Sequence, residues 1–234
     1  KIIIIDFGSQ VTKLIARRVR EIGVFSEVLT LNQLKKIRSF KKIKGLILSG
    51  GPATVTKKSF PKIPMHIFTK NIPILGICYG LQLIAKSFGG KVKSGNKKRE
   101  FGRAILKKNK NSLLTENFFK KNKTKVWMSH QDIVYKIPKG FNKIASTKDS
   151  ALTIIENKKK KLFGIQFHPE VTHTDNGEVL IKNFIFSICK AKKMWKMNYE
   201  KGRIIKAIKE KVKKEKVICA LSGGVDSSVV AQLL

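Results

Sequence analysis

The chain of 234 residues is long enough for one large α/β domain and part of a second, and its core can be buried without disulfides. Its formal net charge is +35, from 50 Lys and Arg against 15 Asp and Glu. Only seven of these cations are arginines and the lysines are scattered, which argues against a specific nucleic-acid site and indicates solvated faces with weak affinity for polyanions.

The three cysteines show no disulfide framework and no zinc motif. Cys78, Cys189 and Cys219 are widely spaced and form no CxxC pair, as is typical of a reducing compartment. The apolar run at the N-terminus is four residues long and ends at Asp6, too short for a signal peptide or a membrane span. We therefore expect a soluble, cytoplasmic protein.

The first ninety residues alternate short β-branched runs with helical patterns, which is typical of parallel strands joined by crossover helices. Residues 1–5 form the first predicted strand. Apolar residues from Val11 to Ile22 then recur at helical spacing until Gly23 ends the helix. Further buried strands are predicted at residues 26–31, 45–48 and 72–77. The sequence thus predicts a doubly wound, mostly parallel sheet of the α/β class.

Between about residues 92 and 167 the helical pattern gives way to short strands separated by turn residues, which predicts antiparallel additions to the sheet. Their sequences are FGRAILKK, KVWMSHQ, NKIASTK, ALTIIE and KLFGIQF. A predicted helix at 178–189 closes the first domain, residues 1–189. The basic stretch 190–198 lacks periodicity and is interpreted as a linker.

Cys78 lies in the sequence GICYG, between a buried strand and a helical pattern that begins at Leu81. This is the nucleophile-elbow arrangement with cysteine in place of serine. Glycines two residues to either side permit the tight turn, and the helix N-terminus favours the reactive thiolate. Cys78 is therefore predicted to be a nucleophile, although a buried structural cysteine is the alternative for a cysteine on a strand.

A thiolate nucleophile needs a proton shuttle, and His168 is the best candidate of the four histidines. It follows the strand KLFGIQF and precedes Pro169 and Glu170. Residues two apart in an extended segment face the same side, so Glu170 can accept the imidazole N–H and fix its tautomer. The alternative for each is a solvated surface residue.

The sequence LSGGP at residues 48–52 is a strand that runs into paired glycines. An oxyanion is stabilised by hydrogen-bond donors that point at it before the reaction begins, and backbone N–H groups on such a turn supply them. We assign these donors to the N–H of Gly51 and the N–H of Tyr79. Alone, the turn could equally be an ordinary strand terminator.

The motifs SGGP, GICYGLQ and FHPE, in this order, resemble those of the class I (triad) glutamine amidotransferases over about residues 1–188. The resemblance implies that Cys78 attacks the side-chain amide of glutamine, ammonia leaves, and water hydrolyses the glutamyl thioester. It also implies a glutamine-binding set. Its members are Gly50, Gln82, Ser129 and His130, the last two within the segment MSHQD at 128–132.

After the linker, residues 199–214 are predicted to be helical and residues 217–221 to form a buried strand. The loop that follows resembles the pyrophosphate-binding loop of the ATP pyrophosphatases, which use ATP with Mg²⁺ as a co-substrate. Its residues are Ser222, Gly223, Gly224, Val225, Asp226, Ser227 and Ser228. No Lys follows its glycines, so it is not a P-loop. Residues 199–234 are thus interpreted as the start of a second α/β domain, with no metal site predicted in this part.

A glutaminase followed by this loop is similar to the carbon–nitrogen ligases that amidate xanthosine 5′-monophosphate (XMP) to GMP, releasing AMP and pyrophosphate. The resemblance implies glutamine, ATP and XMP as substrates, a homodimer for the full-length protein, no specific nucleic acid and no membrane. Two alternatives stay open: the glutaminase of another class I amidotransferase, and a non-enzymatic basic nucleic-acid-binding module on a decayed glutaminase fold.

Overall fold

The computed structural model describes residues 1–95 and 100–234, with side chains described in these ranges except at 197–199. The chain divides into two compact units, Lys1–Lys193 and Met194–Leu234. Each unit is described by itself below.

Within the described residues, the first unit is built on a nine-stranded mixed sheet in the order β2-β1-β3-β4-β11-β10-β9-β6-β7. β5 and β8 form a separate antiparallel pair. The strands are β1 Ile2–Asp6, β2 Ser26–Thr30, β3 Gly45–Leu48, β4 Ile74–Ile77, β5 Lys91–Ser94, β6 Glu100–Lys108, β7 Lys123–His130, β8 Asp132–Lys136, β9 Asn142–Ser146, β10 Ile154–Asn157 and β11 Leu162–Ile165.

The helices of the first unit cover both faces of the sheet. They are α1 Thr12–Glu21, α2 Leu31–Lys35, α3 Met65–Phe68, α4 Tyr79–Ser87 and α5 Gly177–Lys182, and α5 continues as a π-helix over Asn183–Ile188. A short 3-10 turn lies at Leu113–Thr115. The helix predicted at residues 178–189 is therefore present but changes its winding halfway.

Strand β1 shows why the sheet must be covered on both sides. Ile2 and Ile4 pack into one core cluster with α1 and α5, whereas Ile3 and Ile5 pack into a second with α2, α3 and α4. All four isoleucines are fully buried, and burying each contributes about 1.5–3 kcal/mol. Alternation of side chains across the sheet thus turns a continuous apolar run into two cores.

The parallel part of the sheet, β2-β1-β3-β4-β11, confirms the predicted doubly wound fold, and β10, β9, β6 and β7 confirm the antiparallel additions. One strand was placed wrongly by the sequence pattern. β11, expected among the antiparallel additions, pairs parallel with β4 and antiparallel with β10. The reason is that β4 has a free edge for a long-range partner, which local patterns do not reveal.

The second unit contains two helices within its described residues, α6 Met197–Val212 and α7 Val225–Leu233. The strand predicted at residues 217–221 is not formed, and Ile218 is 99% exposed. A strand needs a neighbour for its backbone N–H and C=O groups, and the described residues of this unit contain no strand to pair with.

We predict that Gly80→Ala lowers the free energy of unfolding by about 1–3 kcal/mol. A Cβ at this position would collide with the carbonyl oxygen of Leu48 and lie 2.8 Å from Leu48 Cβ, so α4 would be pushed off β3. Urea denaturation of the purified chain measures the change. The matched control is Gly202→Ala in α6, where a Cβ meets nothing within 4 Å. An equal loss in both variants would contradict the packing argument.

Candidate active site

The site lies where three neighbouring parallel strands end. β3, β4 and β11 are adjacent in the sheet, so the residues that follow them emerge at one edge, where open α/β sheets bind ligands. Gly50, Cys78 and His168, which follow β3, β4 and β11, lie close together at this edge. A Cβ on Gly50 would lie 3.3 Å from His168 Cε1 and 3.6 Å from Cys78 Cβ.

Cys78 occupies a strained turn between β4 and α4. Its φ and ψ are 52° and −104°, a region that costs a non-glycine residue about 1–3 kcal/mol. The two flanking glycines permit the turn, because a Cβ on Gly76 would collide with the backbone of Gly80. The backbone therefore presents a cysteine that is only 7% exposed at the start of a helix.

Besides His168, the sulfur of Cys78 lies close to polar groups of Gln166 and Ser129. The Gln166 side-chain amide lies 3.6 Å from Sγ and donates to it, and Sγ lies 3.6 Å from the carbonyl oxygen of Ser129. Gln166 is fully buried, and its Oε1 has no partner among the described residues. The amide N–H stabilises negative charge on the sulfur, which is the reactive form of a cysteine.

His168 is held on several sides. Its Nδ1 donates to Glu170 Oε1 at 2.7 Å, its backbone N–H donates to Trp127 O at 3.1 Å, and its carbonyl accepts from Thr174 Oγ1 at 2.6 Å. With Nδ1 bound to the carboxylate, the other ring nitrogen is left for Cys78. The spacing of two residues therefore places the imidazole and its carboxylate on one side of the chain.

The charges around His168 decide its protonation. Burial alone would lower the pKa of His168, but hydrogen bonds to Cys78 and Glu170 and the negative charges of both raise it to about 10. Glu170 is 1% exposed, and its Oε2 has no partner within the described residues. The carboxylate charge is thus compensated by the imidazolium of His168.

The predicted oxyanion donors lie beside Cys78. Among the described residues, neither the N–H of Gly51 nor the N–H of Tyr79 donates to a protein group. Gly51 cannot be replaced without movement, because a Cβ there would collide with the carbonyl oxygen of Phe7. Two backbone donors close to a nucleophile are the arrangement that stabilises the tetrahedral intermediate of acyl transfer.

Cys78 separates two cavities of the first unit. A cavity of about 460 Å³, here called the His168 cavity, is lined by His168, Trp127, Val171 and the loop at residues 8–11. A cavity of about 520 Å³, here called the Gln82 cavity, is lined by Tyr79, Gln82 and residues 129–132. Gly51, Pro52, Cys78 and Ser129 line both. A substrate in either cavity can therefore reach the sulfur.

The predicted glutamine-binding residues take different positions. Gly50 is buried beside Cys78, and Ser129 is exposed at the mouth of both cavities. Gln82 Nε2 donates to Asp132 O at 3.0 Å, which leaves its Oε1 as the atom for a ligand. His130 lies deeper: it is 4% exposed, and both ring nitrogens have partners, Asp132 O at 3.1 Å and Glu100 Oε2 at 3.2 Å.

Several residues of the site were missed from the sequence. Gln166 could have been found, because it lies two residues before His168, and side chains two apart in the predicted extended stretch KLFGIQF face the same side. Glu100 binds His130 and also accepts from Thr147 Oγ1 at 2.8 Å, and Asp132 pairs with Thr54. These partners are distant in the chain, and no local signal reveals them.

In the second unit, the predicted phosphate loop is only partly a loop: Ser222, Gly223 and Gly224 precede α7, and Val225–Ser228 form the first turn of that helix. Gly224 is the N-cap of the helix, and its carbonyl accepts from the hydroxyls of Ser227 and Ser228, both at 3.0 Å. Gly223 has φ of 79°, a left-handed conformation. Ser222 Oγ lies 3.1 Å from Ser227 Oγ. The loop as a whole is exposed, apart from Ser227, which is half-buried.

No helix in the described ranges is long and apolar enough to span a membrane. The same part of the chain contains no cluster of three or more His, Cys, Asp or Glu residues that could hold a metal ion.

Comparison with known proteins gives a family match and close relatives. Residues 3–188 match the family model described as Glutamine amidotransferase class-I. Proteins named GMP synthase [glutamine-hydrolyzing] are 48% identical in Brachyspira hyodysenteriae, 48% in Bartonella henselae and 49% in Fusobacterium nucleatum. Each alignment covers all of this chain and 45% of the relative. The chain thus spans about half the length of the curated relatives it matches.

Two solved structures share the fold. One, from Thermoplasma acidophilum and described as belonging to a GMP synthase, is 26% identical, with a TM-score of 0.68 over 86% of this chain and 96% of that one. A glutamine amidotransferase from Thermotoga maritima is 20% identical, with a TM-score of 0.61 over 99% of this chain and 93% of that one. The second likeness concerns the fold alone.

We predict that Glu170→Gln lowers the pKa of His168 well below about 10, because burial remains while the carboxylate charge is lost. NMR titration of the His168 ring measures this, and Glu178→Gln on the exposed face of α5 is the control. A pKa that stays near 10 in Glu170→Gln would contradict the assignment.

The same shift predicts a pH dependence of stability. The pKa of His168 is raised in the folded state from its ordinary 6.5 to about 10. The stabilisation of the folded protein by protonated His168 is therefore fully present below pH 6.5 and is lost as the pH rises to about 10. In Glu170→Gln, the free energy of unfolding should fall less steeply over this window than in the wild type.

Proposed function

Because the chain belongs to the class I glutamine amidotransferase family, with residues 3–188 matching the family model, we propose that it hydrolyses glutamine through Cys78, His168 and Glu170. The observation that carries this proposal is the 2.7 Å hydrogen bond between the His168 imidazole and Glu170, on a ring that lies beside Gly50 together with Cys78. This geometry supports the roles of nucleophile for Cys78, proton carrier for His168 and orienting carboxylate for Glu170.

In the first half of the reaction, the Cys78 thiolate attacks the carbon of the glutamine side-chain amide. The C=O electron pair moves to oxygen, and the N–H groups of Gly51 and Tyr79 donate to the resulting oxyanion. His168, as imidazolium, gives its proton to the amide nitrogen. The C–N bond then breaks, ammonia leaves, and a glutamyl thioester remains on Cys78.

In the second half, neutral His168 takes a proton from a water molecule as the water oxygen attacks the thioester carbon. The same two N–H groups stabilise the second oxyanion. When the C–S bond breaks, glutamate leaves and the thiolate of Cys78 is restored beside the His168 imidazolium. Glu170 keeps its charge throughout and holds the ring in the tautomer that both steps require.

We assign the two cavities to different reactants. Gln82 Oε1 and the polar residues at 129–132 line the Gln82 cavity, which suits the α-amino and carboxylate groups of glutamine. His168 lines the other cavity, so the nitrogen that it protonates departs on that side. The His168 cavity is therefore assigned to the leaving ammonia and the incoming water.

His130 takes part in glutamine binding indirectly. A carbonyl oxygen and a carboxylate occupy its two ring nitrogens, so His130, although it lines the Gln82 cavity, holds the segment at 129–132 and leaves the polar contacts with the substrate to Ser129 and Gln82. Glu100 and Thr147 continue this support.

We predict that Cys78→Ala lowers glutamine hydrolysis by at least about 1,000-fold, because the thioester cannot form. Glutamate release from glutamine measures the activity. The matched control is Cys219→Ala, since Cys219 lies in the second unit and its loss should leave the rate unchanged. Equal activity of Cys78→Ala and the wild type would refute the nucleophile.

We further propose that the ammonia serves the ATP-dependent amidation of XMP to GMP, with AMP and pyrophosphate as the other products. This rests on the relatives named GMP synthase and on the loop at 222–228. There the N-terminus of α7 and the serine hydroxyls suit a phosphate of ATP carried with Mg²⁺. The domain division at 1–189, 190–198 and 199–234, the homodimer and a cytoplasmic location stay predictions.

A chimera tests the acceptor. This chain is joined to the remaining C-terminal part of the Brachyspira hyodysenteriae relative, and GMP formation from XMP and ATP is measured with glutamine or with ammonium chloride. We expect GMP from both nitrogen sources, and loss of the glutamine-driven rate alone when Cys78 is replaced by Ala. GMP formation from ammonium but not from glutamine in the unmutated chimera would contradict the proposal.

A further inference from the structure

Ser49 lies between β3 and the glycine turn and contacts two backbone groups at once. Its hydroxyl oxygen accepts the N–H of Phe7 at 3.1 Å, and the same hydroxyl donates to the carbonyl oxygen of Gly50 at 2.8 Å. Ser49 is fully buried. The hydroxyl oxygen thus accepts from Phe7 while its single proton is donated to the carbonyl of Gly50.

This hydroxyl fixes the direction of an entire peptide plane. The Gly50–Gly51 peptide is trans, and in a trans peptide the C=O and the following N–H point in opposite directions. Holding the carbonyl of Gly50 toward the buried hydroxyl therefore turns the N–H of Gly51 the opposite way. That N–H has no partner among the described residues, and Gly51 lines both cavities beside Cys78.

Glycine on both sides of this peptide makes such a restraint necessary. A rotation of the peptide plane needs changes only in the ψ of Gly50 and the φ of Gly51, and glycine tolerates these at little steric cost. The rotated peptide would present a carbonyl oxygen where the oxyanion forms, and would withdraw one donor.

We infer that Ser49 is a positioning residue for glutamine hydrolysis: its hydroxyl holds the Gly50–Gly51 peptide so that the Gly51 N–H donates to the oxyanion. This inference rests on the proposed glutaminase activity and adds a buried residue that lines neither cavity. Removing one oxyanion donor outright costs about 100- to 1,000-fold in kcat. Ser49→Ala leaves the donor present but unrestrained, so we expect a smaller loss of about 10- to 100-fold.

The experiment compares Ser49→Ala with the wild type for kcat and KM of glutamine hydrolysis, and for the rate at which iodoacetamide alkylates Cys78. Alkylation needs the thiolate and no oxyanion donor. We expect kcat to fall about 10- to 100-fold, while KM and the alkylation rate stay within about threefold of the wild type. A structural role alone would slow alkylation or raise KM together with the fall in kcat.

The matched control is Ser26→Ala. Ser26 is also fully buried and donates to a backbone carbonyl, Ala16 O at 3.0 Å, but it starts β2 at the other end of the strands. We expect its kcat to be unchanged. If Ser49→Ala and Ser26→Ala have the same kcat, the inference is overturned while the glutaminase assignment stands. Absence of glutaminase activity in the wild type would instead overturn the proposed function itself.

Discussion

The parallel pairing of β4 with β11 is the constraint on which the site depends. In this register Gly76 lies opposite Gly164, and a Cβ on either would collide with α4, at Gly80 or at Leu81. The absence of side chains at these two points lets the helix sit directly on the strand pair. Because both strands point the same way, Cys78 and His168 emerge at one edge of the sheet, and α4 begins directly after Cys78.

Charge is distributed very differently inside and outside this protein. The chain carries 50 cations, yet four acids of the first unit, Glu100, Asp132, Glu156 and Glu170, are at most 8% exposed. Their closest partners are hydroxyls or imidazoles: Thr147 and His130, Thr54, Ser112 and His168. Hydroxyls and imidazoles are short enough to bind these carboxylates inside the protein, and a lysine near them, Lys158 at 3.7 Å from Glu156, stays 62% exposed.

The sequence predicted what local patterns encode. The alternating strands and helices, the elbow around Cys78 and the spacing of His168 and Glu170 depend on neighbours in the chain, and the structure brings these three residues together. The direction of β11, the β5-β8 pair and the support of His130 by Glu100 depend on partners far away in the chain, for which periodicity carries no information. The predicted strand at 217–221 is wrong for a related reason, because apolar character alone cannot supply a pairing partner.

Two different devices hold the reactive backbone in place. At Cys78 the strained φ and ψ are imposed by the packing of β4 and α4. Cys78 is the single residue between the two elements, so its backbone must connect them in the positions that packing fixes. Steric contacts do not fix the orientation of the peptide between Gly50 and Gly51 in this way. Rotation of a peptide plane leaves its flanking Cα atoms nearly fixed, so the positions of Gly50 and Gly51 do not by themselves choose its orientation. A directional interaction is required to choose the orientation, and the hydroxyl of Ser49, fixed in turn by the end of β1, is the group placed to provide it.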